Sequence, residues 1–141
     1  RRSSDLHTTR AELQRAVFEG LAYAIVDSLQ GYPQGGELYL TGGGAASATW
    51  LQIIADCTGR TVVSSTFNEL SARGAAILAA RSVDALSRYP ALEQTRYRPH
   101  PQAHSRYVAL YPVYRLLREQ MLPVWHARRE ALQRISQEQR I

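Results

Sequence analysis

The stretch Glu37-Leu38-Tyr39-Leu40-Thr41-Gly42-Gly43-Gly44-Ala45-Ala46-Ser47 decides how this chain is read. Glu37, Tyr39 and Thr41 alternate with Leu38 and Leu40, the period-two pattern of a short strand. Three glycines follow, and none has a Cβ to keep another group off the backbone. A helix is predicted to open at once, from Ser47, with its free N–H groups and positive dipole end toward the glycines. That geometry suits a phosphate. It equally suits a tight turn that only lets strand and helix pack, and the motif alone leaves both readings open.

Two common phosphate loops can be tested directly. A Walker-type loop needs Gly-Lys followed by Ser or Thr, and this chain has no lysine. The dinucleotide fingerprint G-x-G-x-x-G is nearly met by Gly42 and Gly44, but Ser47 stands where the third glycine belongs. That fingerprint also follows the first strand of its unit, whereas here a long helix comes first.

Upstream, Thr9-x-x-Glu12 forms a capping-box pattern. Leu13, Val17, Leu21, Ala24, Ile25 and Ser28 then recur at helical spacing, predicting a helix over about 9–30. Gly31, Pro33, Gly35 and Gly36 stop it. Downstream of the glycines, Trp50, Leu51, Ile53, Ile54 and Ala55 form the buried side of a helix running to about Thr58. Gly59 suits its left-handed C-cap. Thr61-Val62-Val63 begins a short strand. Asn68 suits an N-cap for a helix over about 69–86. Gly74 sits inside that helix among small residues and needs a packing reason, since glycine there costs about 1 kcal/mol against alanine.

Residues 87–104, with Pro90, Pro99 and Pro101, read as a connector. Tyr107, Leu110, Tyr111, Tyr114, Leu117, Met121, Leu122 and Trp125 then mark a helical segment over 105–136, bent or interrupted at Pro112 and Pro123. Its aromatic stripe reads as a docking face rather than a base-stacking platform. The order helix–strand–helix–strand–helix is that of an α/β layer. With only two clear strands, the rest of the sheet is expected from sequence upstream of Arg1. The first residues, Arg-Arg, and a sole methionine at Met121 fit a piece of a longer protein.

The chain has 141 residues and a net charge of +5, unevenly placed. Residues 1–86 carry seven arginines against eight acids, while residues 87–141 carry ten against four. The basic end reads first as a solvated helix face, and second as a tail for an acidic partner or nucleic acid. No nucleic-acid motif supports the second reading. No apolar run approaches a membrane span. The single cysteine, Cys57, fits a reducing cytoplasm.

Three blocks in fixed order resemble the C-terminal domain of the FGGY carbohydrate kinases. They are Ala16-Val17-Phe18-Glu19-Gly20-Leu21-Ala22; Thr41-Gly42-Gly43-Gly44-Ala45 with Trp50-Leu51-Gln52-Ile53-Ile54-Ala55-Asp56; and Glu69-x4-Gly74-Ala75-Ala76. The resemblance covers about residues 8–82. It implies an α/β fold: a partial ribonuclease-H-like, actin-type ATPase C-terminal domain over 8–86, with extra C-terminal helices. It also implies ATP with Mg2+ in an inter-domain cleft, and a sugar or polyol as phosphoryl acceptor. Gly42, Gly43, Gly44 and Ala45 would line the nucleotide phosphates, and Ser47 or Ala48 would face the adenosine. Glycerol kinases have asparagine at the Ala48 position, so that hydrogen bond is absent here. The family's catalytic aspartate matches nothing in this chain, so the piece alone is expected to be inactive.

The remaining candidates read mostly as structural. Asp27 and Asp56 look like surface or capping groups. Gln52 and Asp56 share a helix face and can bond each other. Glu19 reads as functional or merely exposed, and the family's Glu-Gly pair implies an internal hydrogen bond instead. Cys57 reads as a buried thiol. Asn68, besides N-capping, has contact with adenine at the cleft edge as its alternative role. His100-x3-His104 has metal spacing, but Pro99 and Pro101 argue against a helix there. His7 and His126 read as exposed. Open strand edges allow a homo-oligomer. A non-catalytic interaction module with a basic tail is the alternative to the kinase reading.

Overall fold

The computed structural model of the chain describes residues 8–33, 35–65, 69–83 and 92–138. Helix α1 spans Arg10–Ser28 and starts as the sequence predicts. The Thr9 hydroxyl accepts from Glu12 N at 3.2 Å, and the Glu12 carboxylate accepts from Thr9 N at 2.7 Å. This reciprocal pair satisfies two N–H groups that a helix start otherwise leaves open.

Strand β1, Leu38–Leu40, leads through a 3-10 turn at Gly43–Ala46 into helix α2, Ala48–Thr58. Gly59 caps α2 at φ +68°, the left-handed conformation expected of it. Strand β2, Val62–Ser65, pairs parallel with β1, placing Leu40 opposite Ser64. Helix α3 spans Leu70–Ser82. Its N-cap position falls to Glu69, which makes no side-chain cap; Asn68 lies outside the described residues.

Two expectations fail between α3 and the end. The connector contains a third strand, β3, Gln94–Tyr97, antiparallel to β2. The sheet order is therefore β1-β2-β3 with β2 central. Helix α4 begins at Pro101, inside the supposed connector, and runs to Glu138 without interruption at Pro112 or Pro123. Proline suits the first position of a helix because that N–H has no helical acceptor anyway. The internal prolines each remove one bond, while the leucines, arginines, glutamates and glutamines around them favour helix.

The core gathers on α2. Leu51, Ile53, Ile54, Ala55 and Cys57 are buried there with Ala22 and Tyr23 of α1, Val62 of β2 and Tyr107 of α4. Tyr23 stacks on Tyr114 at 5.0 Å and meets Tyr107 edge-on at 5.9 Å, so the tyrosine stripe does dock, on α1. Beyond Tyr114 the expected face finds no cover among the described residues: Leu117, Leu122 and Trp125 are all about half exposed or more. On α1, Leu13, Val17 and Leu21 are likewise exposed although they continue the apolar stripe. Among the described residues Gly74 has no packing reason, since a Cβ there would meet nothing within 4 Å.

Two outcomes follow from this packing. A Cβ at Gly59 would lie 2.6 Å from the His104 ring, in a backbone conformation L residues rarely adopt. Gly59→Ala should therefore cost more than about 1 kcal/mol, read as a lower urea midpoint; an unchanged midpoint contradicts this account of the cap. Burial pushes the Cys57 thiol from 9.0 up to about 12, and the nearby Glu19 and Asp56 charges add to it. The unfolded chain then sheds that proton first, so its contribution to stability is intact below pH 9 and disappears as pH rises through 12. The urea midpoint should fall between pH 8 and pH 11, and fall less in Cys57→Ala.

Candidate functional site

The glycine turn sits at the C-terminal end of β1. Gly42 has φ +86° and ψ −172°, a backbone that only glycine adopts readily. The turn closes through Ala45 N to Gly42 O at 2.9 Å. The N–H groups of Gly43 and Gly44 precede that first bond and have no acceptor within the turn. Gly42, Gly43, Gly44, Ala46 and Ala48 are exposed, and Ala45 and Ser47 half-buried.

One detail corrects the sequence reading. Helix α2 does not open directly on the glycines; the 3-10 turn stands between them. Ser47 is then the N-cap of α2, and its Oγ accepts from Trp50 N at 3.3 Å. Its own hydroxyl proton remains to donate. Two neighbours brace the turn. Ser64 Oγ donates to Ala45 O at 3.3 Å. The indole of Trp50, itself 5.4 Å from the Phe18 ring, lies beneath Gly44.

The three glycines have different reasons to be glycine. Gly42 is fixed by its positive φ. Among the described residues, a Cβ on Gly43 would meet nothing within 4 Å, and one on Gly44 would touch Trp50 at an ordinary 3.6 Å. Neither of these two has the positive φ that would demand glycine.

The other candidates resolve into structural roles. Asp56 is 6% exposed rather than a surface group. It accepts from His100 N at 2.8 Å and Gln52 Nε2 at 2.9 Å, tying the start of α4 to α2. The second proton of Gln52 Nε2 goes to Arg98 O at 2.9 Å. With both amide protons placed, His100 Nδ1 donates to Asp56 at 3.1 Å. His104 Nδ1 lies 2.9 Å from Asp56 O. The two histidines thus serve the junction, and no group of three His, Cys, Asp or Glu among the described residues is arranged to hold a metal. Asp27 bonds Tyr111 and Arg118, so it too is occupied. Glu19 accepts from Tyr107 OH and from Arg15 Nε, each at 2.8 Å, the internal bond that the family's Glu-Gly pair implied.

Beside Ala48 a shallow groove of about 400 Å³ is lined by Arg15, Thr49, Gln52, Asp56 and Tyr97. Sequence reasoning singled out Gln52 and Asp56 as a pair on one helix face but missed Arg15, Thr49 and Tyr97. Arg15 and Tyr97 are remote in sequence from the glycines, and Tyr97 stands on a strand whose polar sequence gives no alternating signal.

A model of the FGGY family of carbohydrate kinases, C-terminal domain, matches residues 2–83. The chain belongs to this family. It is similar to xylulose kinase of Escherichia coli strain K12, at 34% identity over 125 residues, which cover 80% of this chain and 25% of that protein. It is similar to xylulose kinase of Staphylococcus xylosus, at 38% identity over 80 residues, covering 54% and 17%. The crystal structure of xylulose kinase from Rhodospirillum rubrum superposes with a TM-score of 0.71 at 28% identity, covering 86% of this chain and 26% of that one. The chain spans about a quarter of the length of the FGGY relatives it matches. Among the described residues no helix is long and apolar enough to cross a membrane.

The Asp56 junction makes a prediction of its own. Asp56→Ala leaves the His100 N–H and the Gln52 amide without their acceptor and should cost about 1–3 kcal/mol. Asp56→Asn, which keeps one acceptor oxygen, should cost less. Equal melting temperatures for the two variants would contradict this role.

Proposed function

We propose that this chain forms the nucleotide side of an ATP-dependent sugar kinase, and that the glycine turn grips the phosphates of ATP. The observation that carries the reading is the pair Gly43 and Gly44. Nothing among the described residues requires glycine at either place, yet both are exposed, with backbone N–H groups that have no acceptor within the turn. A phosphate approaching those amides is the ligand such a surface suits. Gly42 sets the turn, Ala45 closes it, and Ser47 and Ala48 face the adenosine, with the Ser47 hydroxyl free to donate.

Family membership supports the rest. The acceptor is a carbohydrate hydroxyl, with xylulose the first substrate to try because the similar proteins are xylulose kinases. Mg2+ accompanies the ATP and neutralises its developing charge, as phosphoryl transfer requires. The domain is the ribonuclease-H-like, actin-type half of a two-domain cleft. The base that deprotonates the sugar hydroxyl is expected in another part of the intact protein; among the described residues Asp27 and Asp56 are both bound in structural contacts. The chain alone is therefore inactive. The interaction-module alternative gains no support from the relatives, which are sugar kinases, or from α4 beyond its charge.

Gly43→Ala and Gly44→Ala test this directly, because the space around both accommodates a methyl group. In the intact protein carrying the chain, each should leave the melting temperature nearly unchanged and raise the KM for ATP about tenfold. Unchanged nucleotide kinetics in both variants would remove the turn from the site. An intact protein that phosphorylates no ketose or polyol would overturn the kinase reading.

A further inference from the structure

We infer that Ser64 is a positioning residue for the nucleotide phosphates, acting through the glycine turn. The inference rests on the nucleotide reading proposed above. Ser64 follows Val62 and Val63 on the central strand, and all three are buried. A hydroxyl in such a place is costly to bury without a partner. Its partner is Ala45 O, at 3.3 Å, across the end of β1.

That bond does more than satisfy the hydroxyl. In a helical turn the carbonyls point one way along the axis and the N–H groups the other. Holding the Ala45 carbonyl against β2 therefore fixes the direction in which the Gly43 and Gly44 N–H groups project. The turn's own bonds are uneven: Ala45 N to Gly42 O is 2.9 Å, but Ser47 N to Gly44 O, at its exit, stretches to 3.5 Å. With glycine at three successive positions, the backbone has little intrinsic stiffness to replace an external tether. Ser64 supplies that tether from the central, buried strand of the sheet. Preorganised donors are worth more to a charged ligand than donors that must be ordered on binding.

The test is calorimetric titration of the intact protein with AMP and with ATP, in the unaltered form and as Ser64→Ala and Ser64→Thr. The measured quantity is the ratio of the AMP to the ATP dissociation constant, which reports what the added phosphates contribute. Losing one tethering hydrogen bond should lower that ratio about fivefold in Ser64→Ala. Ser64→Thr keeps the hydroxyl and should restore it. A defect that is merely structural weakens both ligands together, so an unchanged ratio in Ser64→Ala overturns the positioning role and leaves the glycine turn in place. No ATP binding by the unaltered protein overturns the nucleotide reading itself.

Discussion

Helix α2 is apolar around most of its circumference, and water has to be kept from nearly all of it. Leu51, Ile53, Ile54, Ala55 and Cys57 are all buried within two turns, with Trp50 half-buried before them. One covering layer cannot hide a helix of that kind. The chain therefore brings α1, the sheet and the first turns of α4 onto it. Burying such side chains is worth roughly 1.5–3 kcal/mol each, which makes this helix the largest source of stability in the described core. It is also the helix whose start follows the glycine turn. The requirement that buries α2 thus holds the turn in place.

The same requirement explains the buried acid Asp56. Where α4 arrives on α2, its first N–H groups need acceptors. Asp56, on the last turn of α2, reaches the His100 N–H, and Gln52 one turn earlier fastens the Asp56 carboxylate and the Arg98 carbonyl. A carboxylate at the start of a helix is also favoured by the helix dipole. Asp56 is buried because it is the fastening between two elements 44 residues apart.

What the sequence made legible is what local chemistry decides. The capping box at Thr9, the left-handed cap at Gly59, the β1-to-turn transition and the buried face of α2 each depend on residues within a few positions of one another. Strand β3 was illegible because Gln94-Thr95-Arg96-Tyr97 is an edge strand with mostly exposed side chains. Nothing buried alternates along it, and only its pairing with β2 makes it a strand. Helix α4 was misread at its start because Pro99 and Pro101 look like breakers, whereas Pro101 occupies the first helical position. Of the site, the glycines and Ser47 were visible as a motif. Ser64 and Trp50, which brace the turn, were not, because register and packing rather than spacing bring them there.

Arginine charge in the C-terminal part suggests a solvated face first, and the geometry favours that. Arg118 pairs with Asp27 at 2.5 Å, and Arg128 lies 5.9 Å over the Trp125 ring. Arg15 and Arg96, outside the outer part of α4, serve Glu19 and Glu37 in the same way. Such exposed pairs contribute little to stability. Their consequence is geometric: Tyr111 and Arg118, two turns apart on α4, both close on Asp27 of α1. Arg118 thus adds a polar tie from α4 to α1, while the apolar residues of the first turns of α4 seat it on the core.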